Sequence, residues 1–161
     1  MKITPANLPF ELKKNLLRCY LVSGDEHLLV QESLDVLKRV SFNAGFSVRD
    51  SYDQSQSLDW QEILSASNNL SLFSEKKIIE IRLTSGKPGR EGIKRIIELV
   101  GRLNEDLMLI ISAPKLDKAS LATKWCQLFQ SEGGFIQVWP LNENELPIWL
   151  KKRMQAVGLT A

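Results

Sequence analysis

Two cysteines and one histidine are all that this 161-residue chain carries of the residue types that most readily ligate soft metals. Cys19 and Cys126 lie far apart in unlike surroundings, whereas a zinc site or a disulfide framework needs more ligands at tighter spacing. The expected state is two buried, unpaired thiols. Long apolar runs are also missing. No stretch reaches membrane-spanning length, and the opening MKITPANLPF has no signal-peptide core. A cytoplasmic location is the expectation. Excess charge is lacking too: 21 basic residues face 19 acidic ones, and the net charge is +2. With no long single-sign block, the domain has no electrostatic grip of its own on nucleic acid. An apolar share of 43% with 25% charged residues rules out a disordered chain and allows one substantial core.

What is present is an alternation of strand-like and helix-like segments, the signature of a parallel sheet covered by helices. Five strands are expected: Cys19–Gly24, Phe46–Tyr52, Lys77–Leu83, Leu107–Ala113 and Gly134–Trp139. Helical spacing links Val30, Leu34, Leu37 and Ala44, then Trp60, Ile63, Leu64 and Ser67 behind an Asp59 cap. It recurs in Ile93, Ile96, Ile97, Val100 and Leu103, and in Leu121, Trp125, Leu128 and Phe129. Thr84–Gly92 reads as a polar loop. Pro140 closes the last strand, because proline cannot continue a ladder. The fold class is a three-layer α/β module of five parallel strands flanked by helices. Beyond residue 140, Leu146, Trp149, Leu150 and Met154 form a helix exposing Trp149 with nothing to pack on. The expected division is a module over 1–140 and, over 141–161, the start of a following helical domain in a longer protein.

Such a sheet invites a nucleotide. A phosphate loop of the GxxxxGK[ST] type needs glycines to bare N–H groups, a lysine for the phosphates and a hydroxyl for magnesium. The matching stretch, Gly24-Asp25-Glu26-His27-Leu28-Leu29-Val30, has one glycine, no lysine and two carboxylates that repel phosphate. Asp25 or Glu26 is better read as starting the next helix. SGKPGREG, Ser85 to Gly92, offers Lys87 and Arg90, but Pro88 removes a donor and the glycine spacing fits no nucleotide fingerprint. APKLDKAS places Lys115, Asp117 and Lys118 after the central strand, at the edge where open sheets bind ligands. There Asp117 is the natural helix cap. His27 belongs to no recognisable triad motif. Glu105, Asp106 and Asp117 lack the paired acids of a magnesium-dependent NTPase. The enzyme alternative is an α/β nucleotide-binding protein using Lys87 or Lys115.

The stretch NNLSLFSEKK, residues 68 to 77, does not fit the core pattern. Leu70 continues the apolar stripe of the preceding helix, but Leu72 and Phe73 fall off it and are separated from the next strand by Ser74-Glu75-Lys76. The pair is either buried by a turn or offered to a partner's pocket. Asn69-Leu70-Ser71-Leu72-Phe73 is similar to the short element, typically Gln-Leu-Ser/Asp-Leu-Phe, with which bacterial replication proteins dock on the sliding clamp. Asn69 departs from the usual glutamine. Together with YLVSGDE (20–26), LLVQES (28–33), DLMLII (106–111), KLDK (115–118) and LPIWL (146–150), in this order, it resembles the delta subunit of bacterial DNA polymerase III, the clamp-opening subunit of the clamp loader.

This resemblance implies an AAA+-like module whose nucleotide site has decayed, with no cofactor, no metal and no catalysis of its own, inside a DNA-directed DNA polymerase (nucleotidyltransferase) holoenzyme. It implies that Leu70, Ser71, Leu72 and Phe73 bind the sliding clamp (beta), Leu72 and Phe73 foremost. The partners implied are the clamp and, through the full-length protein, the gamma/tau and delta prime subunits and primed DNA.

Overall fold

The computed structural model describes residues 1–68 and 75–158. Among these, six strands form one parallel sheet: β1 (Lys2–Ile3), β2 (Cys19–Ser23), β3 (Val48–Asp53), β4 (Lys77–Arg82), β5 (Leu107–Ala113) and β6 (Gly134–Gln137). Their spatial order is β1-β6-β2-β5-β4-β3. Seven α-helices accompany them: α1 (Leu8–Lys14), α2 (His27–Asn43), α3 (Trp60–Asn68), α4 (Gly89–Arg102), α5 (Lys118–Leu121), α6 (Lys124–Ser131) and α7 (Leu146–Ala156). The three-layer expectation holds, and the strand count rises from five to six. The extra strand, β1, has only two residues, too few to set a period. Backbone pairing holds it: Phe135 N–H donates to Met1 O at 2.8 Å, and the terminal amine donates to the carbonyls of Gln130 and Gly133.

The central strands are apolar on both faces because both faces are covered. Along β5, Leu107, Leu109, Ile111 and Ala113 enter one core with Trp60, Ile63, Ile96, Leu99, Trp125 and Phe129 from α3, α4 and α6. Met108 and Ile110 enter the other, with Leu8 and Leu12 of α1 and Leu34 and Leu37 of α2. Register carries the alternation across the sheet, pairing Leu21 with Ile111 and Ile79 with Leu109.

Three local expectations need correction. The Thr84–Gly92 loop is shorter, since α4 already begins at Gly89. Gly92 sits against Trp60, whose ring carbon would lie 3.0 Å from an added Cβ, so this glycine serves helix packing. The single helix expected across Leu121–Phe129 is broken between α5 and α6. Trp149 is half-buried, not exposed: its indole N–H donates to Glu32 Oε2 at 2.9 Å. Arg153 donates to the same oxygen at 3.0 Å and lies over the Trp149 ring. These contacts hold α7 to α2 beside an apolar cleft of about 600 Å³.

Both thiols are buried, Cys19 at 2% exposure and Cys126 fully. Burial, with the Glu132 carboxylate adding to it, pushes the Cys19 thiol from 9.0 to about 12. Burial likewise raises the Tyr20 phenol from 10.0 to about 12, against the opposing Leu17 N–H. Both groups keep their protons longer folded than unfolded. Their contribution is therefore intact below about pH 9 and is lost as pH climbs through about 12. Stability should fall by roughly 1.4 kcal/mol per pH unit for each group inside its window. Urea midpoints taken between pH 8 and 11 test this, and Cys19→Ala should delay the onset.

Candidate functional site

At the carboxyl edge, where parallel sheets hold their ligands, a cavity of about 270 Å³ opens beside Gly24, His27, Arg82 and Ser112. Asp25, Arg82 and Thr84 in its lining are each engaged by a group outside it. Asp25 does not cap α2; its Oδ1 accepts the Lys115 N–H at 2.9 Å and ties the β2 and β5 loops together. Glu26 occupies the cap position of α2 without a side-chain bond. Gly24 donates to Ala113 O at 3.1 Å. A Cβ on Gly24 would stand 2.7 Å from Val138 O. The glycine that follows β2 is thus explained by close approach of neighbouring backbone, with no anion needed.

The cations of this edge are dispersed. Arg82 Nη1 faces Asp53 Oδ2 at 3.4 Å. The Asp53 carboxyl is held below the usual range first by the Ser55 hydroxyl and N–H and then by Arg82. Lys115 Nζ lies 5.3 Å from the centre of the Trp139 ring. Asp117 caps α5 as expected, accepting the Ser120 N–H at 2.7 Å; that bond keeps its carboxyl low, with a smaller contribution from Lys87. The loops carrying Lys87 and Lys115 do meet, Gly86 approaching Leu116 and Ser120. A Cβ on Gly86 would lie 3.0 Å from Leu116 Cδ2 and 3.4 Å from Ser120 Oγ, so this glycine too is explained by close packing. Among the described residues no cluster of three His, Cys, Asp or Glu could hold a metal, and no helix is long and apolar enough to cross a membrane.

The expected docking residues Leu70, Ser71, Leu72 and Phe73 lie outside the described residues; what is described is how their flanks are held. Upstream, Asp59 caps α3 by accepting the N–H groups of Gln61 and Glu62 at 3.1 and 3.2 Å. The end of α3 is clasped by Arg102 of α4. Its Nη1 donates to Leu64 O, Ser67 Oγ and Asn68 Oδ1 at 3.3–3.4 Å, while Nη2 pairs with Glu98 at 2.9 Å. Downstream, Lys77 Nζ pairs with Asp50 at 3.0 Å and donates to Ala66 O at 3.2 Å. Val48 N–H reaches Lys76 O at 3.3 Å. Both flanks are thereby held at the amino edge of the sheet, opposite its carboxyl edge. Sequence reading missed Arg102 and Lys77. Their roles depend on which helices and strands lie side by side, and only the periodicity of α3 and α4 hinted at it.

Comparison with known proteins gives this arrangement its context. Residues 20–138 match the family model described as DNA polymerase III, delta subunit. The DNA polymerase III subunit delta of Escherichia coli K12 is 26% identical over 159 residues, covering 99% of this chain and 46% of that protein. Its counterpart in Haemophilus influenzae Rd is 30% identical over 164 residues, 99% of this chain and 47% of that one. The chain thus spans about half the length of the curated relatives it matches. Among solved structures, the Bacillus subtilis DNA clamp loader delta protein superposes with a TM-score of 0.68 at 13% identity, covering 95% of this chain and 48% of that one. Saccharomyces cerevisiae Rif2 superposes at 0.55 and 13% identity, over 91% and 59%. At such identities the likeness is one of fold. On the family match, which takes in most of its length, this chain belongs to the DNA polymerase III delta subunit family.

Proposed function

We propose that this chain is a non-catalytic docking module of a clamp loader, whose Leu72 and Phe73 insert into an apolar pocket on the ring-shaped sliding clamp, flanked by Leu70 and Ser71. The observation that carries the reading is the off-register Leu-Phe pair of the NLSLF element between flanks contacted by Arg102 at the end of α3 and by Lys77 on Asp50. A clasped base lets a short apolar element bind with little loss of chain entropy. Binding energy opens the ring only if the open ring is bound better than the closed one. ATP hydrolysis then belongs to other loader subunits, gamma/tau among them, with delta prime completing the assembly on primed DNA in the cytoplasm. Residues 1–140 form the clamp-binding unit, and 141–161 begin the next, lid-like helical unit. Capture of the chain on immobilised cognate clamp tests the reading.

The nucleotide-enzyme alternative meets a carboxyl edge where Asp25 is spent on Lys115 and Arg82 on Asp53. The purified chain should show no saturable binding of labelled ATP in equilibrium dialysis, and Lys87→Ala and Lys115→Ala should change nothing. Saturable binding lost in either variant would support the alternative instead.

A further inference from the structure

The last helix is tied to the rest of the chain at a single point. Among the described residues, every hydrogen bond and ion pair linking 140–158 to the remainder of the molecule ends on one oxygen, Glu32 Oε2. Trp149 and Arg153, four apart and so on one face of α7, donate to it together. The turn that starts the helix is closed on itself. Asn142 Oδ1 accepts the Asn144 and Glu145 N–H groups at 3.0 and 2.8 Å, and Asn142 Nδ2 donates to Glu145 at 2.6 Å. No residue of α7 is buried. Ile148 is 60% exposed although it lines the apolar cleft with Leu29, Val36 and Val138. The Arg153 and Glu32 side chains are themselves 44% and 45% exposed, and ion pairs so open to water hold their partners weakly.

We propose that α7 is a flap over this cleft and that Glu32 is the latch that shuts it. The latch post is fixed, because α2 is anchored by buried Ser33, Leu34 and Leu37. The flap is not: once Glu32 lets go, α7 has no polar tether, and the cleft loses the wall made by Ile148 and Trp149. A helix of 11 residues without packing is marginal in water, so release and unwinding of α7 go together. Neither core takes a residue from α7, so the flap opens while the sheet stays folded. Glu32 is thus a positioning residue, and its hold on Trp149 and Arg153 sets how often the cleft is covered. The proposal stands apart from the docking reading, since neither Leu72 nor Phe73 enters it.

The test is tryptic cleavage of the folded 161-residue chain after Lys151, Lys152 and Arg153, read by mass spectrometry, with amide exchange across 146–156 as a second readout. Glu32→Ala should speed cleavage at these sites about tenfold, the weight of a hydrogen-bonded pair, and leave the melting temperature where it was. Glu32→Gln keeps an acceptor for the Trp149 indole but drops the charge facing Arg153, and should fall between. Trp149→Phe should also speed cleavage; added to Glu32→Ala it should change nothing more, because both act through one bond. Salt should speed cleavage of the wild type and leave Glu32→Ala as it is. Asp35→Ala removes another exposed carboxylate of α2, one that accepts from Gln31 at 2.8 Å, and should match the wild type. Wild-type cleavage and exchange in Glu32→Ala would overturn the proposal, for apolar contact would then hold α7. So would a lowered melting temperature in Glu32→Ala, which would make Glu32 a support of the core and not a latch.

Discussion

Leu72→Ala/Phe73→Ala should abolish capture of the chain on the clamp while leaving its thermal transition where it was. A leucine and a phenylalanine moved from water into an apolar pocket contribute about 1.5–3 kcal/mol each. Each 1.4 kcal/mol is roughly a factor of ten in affinity. Loss of both side chains therefore predicts a fall of about a hundredfold or more, beyond the reach of a pull-down. Anchor residues are not additive, so either single variant alone should already lose much of the binding. The paired stability measurement separates two states of this segment. If Leu72 and Phe73 were sealed in the chain's own core, truncating both would cost about 2–5 kcal/mol apiece and lower the melting temperature by many degrees. An unchanged transition with lost capture fits docking; a collapsed transition sinks it.

The parts of this fold legible in the sequence were those where burial is one-dimensional. Leu107–Ala113 is buried at every position and apolar at all but Ser112 because both its faces are covered, so a run of the right length sufficed to identify the strand. Trp60, Ile63, Leu64 and Ser67 recur at helical spacing because one face of α3 packs on the sheet, and all four are buried. Elements set by contact with distant backbone left no such trace. β1 exists because Met1 and Ile3 find β6, and no two-residue pattern announces that. Asp25 looked like a helix cap beside α2, yet its partner is the Lys115 N–H, ninety residues on. The proposed docking element rests on its resemblance to a short peptide, and its residues 69–73 lie outside the described ones. The clasp of Arg102 on the end of α3 needed the third dimension.

The same distinction gives the largest stability effect. Gly133→Ala, a change of one methyl group, should cost more than about 4 kcal/mol, at the severe end of single substitutions. Nothing in the backbone explains the glycine, for the positive-φ glycines among the described residues are 45, 89 and 158. The reason is proximity. A Cβ at Gly133 would stand 2.5 Å from the carbonyl oxygen of Cys19 and 3.2 Å from its carbonyl carbon. That carbonyl belongs to β2, which is paired to β5 on one side and β6 on the other, so the strand cannot retreat. Gly134 has the same problem with a side chain: its Cβ would meet Tyr20 Cδ1 at 2.5 Å. The Tyr20 ring is held, because its hydroxyl accepts the Leu17 N–H at 2.7 Å inside a core that leaves it 1% exposed. With total stabilities near 5–15 kcal/mol, either variant should unfold at a far lower urea midpoint than the wild type. Gly101→Ala is the contrast. A Cβ there meets nothing within 4 Å, and the residue lies in α4, so alanine should stabilise the helix by up to about 1 kcal/mol. If Gly133→Ala and Gly101→Ala shift the midpoint equally, β6 does not lie this close to β2, and the approach that makes Gly133 and Gly134 necessary is wrong.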